Sequence, residues 1–332
     1  MRTTPESGNL MHMMNDALEE TDFALTGLVF RLLWYGTWLL IAAAMLIMTA
    51  SAALRSTQLA LVILEPDRNR STLQLIDIDR MQTVNLLQTA GLSDDPTWSP
   101  DGATIYLGVY RPDRSGRDIA AYDLRTQQFR WLTDGPMDNN TPHAAPSGDR
   151  LVYQGFDGGT TQWNIYLLDL ANGRSRQFFE SEAVDGRPAW SPDGREIAFE
   201  TGADGQSPRI AVRNVANRTT RYLTPGFSIA PAWSPDGSHI VYVGYAETIF
   251  SIFVIDVSGG DPQLLTYHPG GNSDPAWSPD GGLIAFTSRR TADGYRHIFV
   301  IHPDGSGLRQ LTTEPVNHGY AAWRPLSADS SR

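Results

Sequence analysis

From residue 58 onward, apolar and polar positions alternate in short runs, and clusters of Gly, Pro and Asp separate the runs. A period of two is the pattern of strands with unlike faces. The stretch 275–312 shows the unit. Pro275-Ala276-Trp277-Ser278 ends a short first strand, and Pro279-Asp280-Gly281 turns the chain. In that turn Pro presets φ and Gly accepts positive φ. Leu283–Ser288 predicts the second strand, His297–His302 the third and Leu308–Thr312 the fourth. Four strands within about 44 residues make one small all-β unit.

The unit recurs. Trp-Ser-Pro-Asp-Gly stands at Trp98, Trp190, Trp233 and Trp277, and degenerate copies keep phase at Ala144 and Trp323. The reference positions 98, 144, 190, 233, 277 and 323 are 46, 46, 43, 44 and 46 residues apart. Such a period means one unit copied round a ring, a β-propeller. The strands predicted in the other units are Thr104–Val109, Ile119–Leu124 and Phe129–Thr133; Arg150–Gln154, Asn164–Leu170 and Ser175–Phe179; Glu196–Glu200, Arg209–Val215 and Thr220–Thr224; His239–Gly244, Ser251–Val257 and Gln263–Thr266. The ends complement each other. Gln58–Glu65, Leu73–Asp79 and Val84–Gln88 read as second, third and fourth strands with no first, and Tyr320–Trp323 as a first strand with nothing after it. Joined, they complete a sixth blade and remove open sheet edges. The fold class is therefore all-β, a six-bladed propeller with end-to-end strand closure over 57–325.

Trp-Ser-Pro-Asp-Gly, then Ile-Ala-Phe, Ile-Phe-Val-Ile and Leu-Thr, resembles the WD40-like Asp-rich (PD40) repeat of the TolB family. The resemblance covers roughly residues 57–325. It implies a propeller of the kind found in the periplasmic Tol-Pal system of Gram-negative envelopes. The repeat is also similar to the propeller that shields prolyl-oligopeptidase-type active sites. TolB carries an α/β domain ahead of its propeller; here the reading expects only a membrane segment there.

That segment is 32–54, free of charge and flanked by Arg31 and Arg55. At about 1.5 Å per residue it can span a hydrocarbon layer of about 30 Å. Trp34, Tyr35 and Trp38 stand near one end, where aromatic rings prefer the headgroup boundary. The expectation is a tail over 1–31, one transmembrane helix over 32–54 and a C-terminal tail over 326–332. A cleaved signal peptide is the alternative, because Ala50-Ser51-Ala52 has the small-x-small form of a cleavage site. The Arg count (one near the N-side, three on the C-side) places the C-side in the cytoplasm, whereas large domains translocate largely regardless of charge. The family resemblance sets the expectation: a single-pass membrane protein with its propeller outside the cytoplasm, periplasmic or at the cell surface.

Composition narrows the chemistry. A net charge of −11 lacks the basic face that nucleic acid needs. The chain has no Cys, which excludes thiolate metal sites and Cys nucleophiles. No Gly-x-Ser-x-Gly elbow is present; Gly226-Phe227-Ser228-Ile229-Ala230 lacks the last Gly. The His residues are scattered, and Asp77 and Asp79 read as a solvated strand end, with a cation contact as the alternative. No catalytic, metal or cofactor residue is assigned. Trp98, Trp190, Trp233, Trp277 and Trp323 are expected to pack between blades, with Phe156 or Trp163 filling the place that Ala144 leaves. Asp101, Asp193, Asp236 and Asp280 are expected to brace their own turns.

What remains is a polar rim where loops lead into the first strands: Asp94, Asp95, Asn139, Asn140, His143, Asp185, Arg187, Ser228, Asn272, Asp274 and His318. Such a ring round a funnel suits a protein or peptide partner. The function expected is a membrane-anchored, non-catalytic module that binds such a partner at the cell envelope. The alternative is a structural accessory subunit docked to other membrane proteins. A propeller lyase or glycosidase is the enzyme reading, and it needs a cluster of acids in the channel.

Overall fold

A computed structural model describes residues 57–326, apart from 66–69, 90, 92, 114–115, 157–161 and 203–205. The expected tail 1–31, the apolar run 32–54 and the C-terminal tail from 327 lie outside the described residues. Among the described residues no helix is long and apolar enough to cross a membrane.

Six four-stranded antiparallel sheets stand round a ring. The first blade is Ser93–Trp98, Thr104–Tyr110, Arg117–Asp123 and Gln128–Trp131 (β4–β7). The second is Asp138–Ala144, Arg150–Phe156, Trp163–Asp169 and Ser175–Gln177 (β8–β11). The third is Val184–Trp190, Glu196–Gly202, Arg209–Asn214 and Thr220–Tyr222 (β12–β15). The fourth is Ser228–Trp233, His239–Ala246, Ile249–Asp256 and Gln263–Thr266 (β16–β19). The fifth is Asn272–Trp277, Ile284–Ser288, His297–Ile301 and Arg309–Gln310 (β20–β23). The closing blade joins Asn317–Trp323 (β24) to Gln58–Glu65, Arg70–Asp77 and Gln82–Thr89 (β1–β3). Leu59 pairs with Trp323 and Leu64 with Asn317, so both ends of the domain share one sheet. The predicted closure is present as read.

The core lies between blades, one apolar cluster at each interface. At the closing seam Leu61, Ile298, Val300 and Trp323 meet; between the second and third blades Ile165, Trp190 and Phe199 do. The recurrent Trp stitches neighbours with its polar edge as well. Trp98, Trp233 and Trp323 donate their indole N–H, each at 3.0 Å, to the carbonyls of Ala322, Ala189 and Ala276 in the preceding blade. Where Ala144 lacks the ring, Tyr106 and Tyr153 fill the interface. This corrects the expectation for Phe156 and Trp163, which pack on each other with ring centroids 5.3 Å apart.

The recurrent Asp braces its turn. In four blades the Ser hydroxyl donates to the Asp carboxylate while accepting the N–H of the residue five positions after the Ser. The same carboxylate accepts a backbone N–H two residues on. In the degenerate turn of the closing strand, Arg324 replaces that Ser. It donates to the carbonyl of Gly102 at 3.0 Å and to Gln58, and lies over the Trp98 ring. Asp77 is no solvated strand end. It is buried and accepts the N–H groups of Asp79 and Arg80.

Candidate functional site

Each innermost strand carries a register break: between Asp94 and Thr97, Asn140 and His143, Gly186 and Ala189, Ile229 and Ala232, Ser273 and Ala276, and at β24 opposite Ala60–Val62. In five blades the residue inside the break precedes a Pro, which donates no ladder hydrogen bond and so belongs at a bulge. That residue has a left-handed backbone in all six blades: Asp95, Thr141, Arg187, Ala230, Asp274 and Tyr320, with φ between 44° and 56°. Asp tolerates that conformation. For β-branched Thr141 and bulky Tyr320 it is strained, and a left-handed residue held at one position of every blade marks a candidate site. All six residues line the central channel. The backbone there is six-fold repetitive, and the side chains are not.

The channel widens on both sides of this ring. Toward the Trp-Ser-Pro-Asp-Gly turns it opens into a cavity of about 480 Å³. Prolines line it at 96, 142, 188, 231 and 275, and again at 100, 146, 192, 235, 279 and 325, with the Trp rings behind them. Toward the other face lies a polar chamber of about 240 Å³, walled by Asp94, Arg117, Gln154, Trp163, Glu200 and the ring members Asp95, Thr141, Arg187 and Tyr320. Glycine makes this chamber possible. A Cβ on Gly186 would stand 2.7 Å from the Gln154 amide oxygen and 3.0 Å from the Glu200 carboxylate, which reach in over it.

Two guanidinium groups organise the chamber. Arg187 spans the ring to Asp274 at 3.3 Å. Arg117 grips Asp138 through Nε and Nη2 at 2.9 and 3.2 Å and pairs with Asp94 through Nη1. Burial disfavours the charge on Arg187, but Asp95, Glu200 and Asp274 outweigh it and hold the group charged. The carboxylates are shifted upward as well, which for an acid disfavours the charge. Burial pushes Asp95 up to about 8, reinforced by Asp94 and Asp274 and opposed by Arg187. Burial also raises Asp94 and Glu200 against the pull of Arg117 and Arg187. Perturbed acids gathered at a concave site are a physical signature of function. Among the described residues no three His, Asp or Glu side chains are grouped to hold a metal ion.

The expected rim divides in two. Asp95, His143, Arg187 and Asp274 line the proline-walled cavity, and Asp94 and Asn140 wall the polar chamber. Asn139, Asp185, Ser228, Asn272 and His318 do not reach the channel. They lie five residues before the reference position and are buried within and between blades. Asn139 donates to Asp118, Asn272 donates to the Phe250 carbonyl, and His318 stacks on His297 with centroids 5.8 Å apart. First strands begin at Ser93, Asp138, Val184, Ser228, Asn272 and Asn317, so these are strand residues whose alternation turns them away from the channel. His143 is a structural acceptor as well. Burial lowers it to about 4, and its Nδ1 accepts the Trp190 backbone N–H at 3.2 Å. Thr141, Ala230 and Tyr320 complete the ring outside the expected rim, each three residues before its reference position. Arg117, Gln154, Trp163 and Glu200 come from second and third strands and carry no repeat signal.

The ring, its prolines and its turns fall inside a matched family. The chain matches PD40, the TolB beta propeller domain, over residues 47–224 and 203–329. The chain belongs to the TolB β-propeller family. An uncharacterized protein of Agrobacterium fabrum is 28% identical over 134 residues, 37% of this chain and 45% of that one. The Tol-Pal system protein TolB of Francisella tularensis is 30% identical over 94 residues, 28% of this chain and 20% of that protein. The chain thus aligns with less than half the length of these curated relatives. The crystal structure of TolB from Acinetobacter baumannii superposes with a TM-score of 0.71 at 22% identity, covering 81% of this chain and 67% of that one. An oligogalacturonate lyase in complex with manganese shares the fold at a TM-score of 0.51 and 17% identity, covering 78% of this chain and 74% of that one. The TolB-like propeller fold therefore serves both a Tol-Pal protein and an enzyme, and only the site can distinguish such roles.

Proposed function

We propose that this TolB-like propeller is a non-catalytic protein-binding module of the cell envelope, anchored through 32–54, that receives a segment of its partner at the polar mouth of the central channel. The observation that carries this reading is the ring at 95, 141, 187, 230, 274 and 320, where an invariant backbone displays five side-chain types. Structural positions in this chain repeat their residues; this one does not. A chamber of about 240 Å³ with two Arg, several acids, Trp163 and Tyr320 offers donors, acceptors and an aromatic wall to a peptide segment. The non-catalytic part rests on the Ser hydroxyls of the turns, which are already committed to Asp carboxylates and backbone, and on Arg117 and Arg187, which are paired with acids. The envelope location rests on the family and on the charge-free run at 32–54.

The test is site-specific photo-crosslinking in intact cells. A photoreactive residue at Trp163 faces the polar chamber; one at Ser147 lies on the opposite face. A discrete adduct from 163 and none from 147 is the expected result. Adducts from 147 alone would move the interface to the turn face. Protease added to spheroplasts tests the location: the propeller should be cut without lysis.

A further inference from the structure

Outer strands of a propeller blade are paired on one side only, and most here are too short or too charged to recruit another strand. β7, β11, β15, β19 and β23 have 4, 3, 3, 4 and 2 residues, and all but β19 carry an Arg. The closing blade differs. Its outer strand β3, Gln82–Thr89, has 8 residues, Gln-Thr-Val-Asn-Leu-Leu-Gln-Thr, with no charge and no Pro. Gln82 to Asn85 are exposed, Val84 at 59%. Long edges without charge, Pro or cover are what soluble proteins avoid, because the free N–H and C=O groups template a further strand.

The interior side of β3 is fixed. Gln74 donates to the Asn85 side chain at 3.0 Å, and Leu86 and Leu87 pack on the core between the closing and first blades. A bulge sets Leu86 apart, and its carbonyl accepts the Tyr122 hydroxyl at 3.2 Å. The stretch before the bulge pairs regularly with β2, Asp77 with Gln82 through Gln74 with Asn85, and among the described residues no strand pairs with its outer side. It is a preformed template that an incoming strand need not order.

We propose that the outer edge of β3 accepts an extended, uncharged segment of a partner protein as the fifth strand of the closing blade. Main-chain hydrogen bonds would supply affinity, and the exposed Val84 would favour a β-branched or aliphatic residue opposite it. The partner is a different protein, not a second copy, because a net charge of −11 sets two copies of this chain against each other. The proposal does not depend on the channel, which lies at the inner edges of the blades.

The test uses the full chain in mild detergent and a labelled, acetylated octapeptide of uncharged alternating Thr and Val residues, followed by fluorescence anisotropy. Saturable binding is expected, weakened about tenfold or more by Thr83→Pro, which removes an edge donor. Val84→Lys, on an exposed position, should weaken it in the same direction and guards against misfolding of the Pro variant. Ala230→Arg, which fills the channel ring, should leave binding unchanged. A peptide N-methylated at alternate residues should not bind. Absence of binding, binding indifferent to Thr83→Pro and Val84→Lys, or retention by the methylated peptide would overturn the proposal. So would sedimentation showing a dimer that Thr83→Pro dissolves, since the edge would then belong to a second copy.

Discussion

Asp193, in a turn at one end of its blade, and Asp95, on the ring inside the channel, titrate in opposite directions. Asp193 sits in a Trp-Ser-Pro-Asp-Gly turn, where the Ser191 hydroxyl and the Arg195 N–H hold its carboxyl below the usual range. Asp95 sits on the channel ring, where burial pushes it up to about 8. The turn end repeats its residues and satisfies every Asp locally. The ring end repeats only its backbone and gathers acids round two shared Arg side chains. The turns hold the ring of blades together; in the proposed function the channel ring meets the partner. Substitutions at the turn end should therefore cost stability, and substitutions at the ring end should cost recognition.

The harshest way to break that contrast is to open the ring. Deleting 318–332 strips most of β24 from β1 and leaves the β1 edge, Leu59 to Leu64, unpaired. Loss of a single sharp unfolding transition and a tendency to aggregate are expected. Equal sharpness and equal Tm in scanning calorimetry would contradict closure as the source of cooperativity.

Next in size is Trp190→Ala. The ring is buried between the second and third blades, so about 3–5 kcal/mol should be lost in denaturant unfolding. A loss under about 1 kcal/mol would mean that the interface does not depend on the ring.

A smaller effect comes from Asp193→Ala, about 1 kcal/mol for the lost turn hydrogen bonds. The turn carboxylates have lowered native pKa values, Asp236 to about 2. Their stabilisation is present above the unfolded value near 3.8 and disappears as pH falls through the native one. Asp95 has the reverse sign. Its native pKa is raised, so between about pH 4 and pH 8 the native state binds the extra proton and stability falls as pH rises. Asp95→Asn should flatten that decline, because an amide takes up no proton. Urea titrations at pH 5 and pH 8 would show it; an unchanged slope would mean that Asp95 is charged and solvated.

The fold was legible because the residues that build it repeat. Trp98, Trp190, Trp233, Trp277 and Trp323 mark phase because each fills the same interface, and the Pro-Asp-Gly turns mark strand ends because Asp and Gly act within a few residues. The seam was legible from the missing first strand at one end and the lone one at the other. The site was half legible. Asp94, Asp95, Asn140, Arg187 and Asp274 line the channel and Asn139, Asp185, Ser228, Asn272 and His318 do not; polarity alone does not tell which face of a strand a residue occupies. Ala230 and Tyr320 carry no polar pattern that marks a site, although the bulge places them on the same ring as Arg187 and Asp274. Glu200 enters the chamber only because Gly186 leaves it room, a relation between two strands that no local pattern carries.

The most direct measurement fills the ring. Ala230 is the smallest of the six side chains at the constriction, and a guanidinium there would stand among Arg187, Glu200 and Asp274. Thermal melting and the crosslink yield from position 163 are measured together for wild type and Ala230→Arg. The expected result is a Tm within about 4 °C of wild type and loss of the crosslink. A retained crosslink at full yield would contradict recognition through the channel.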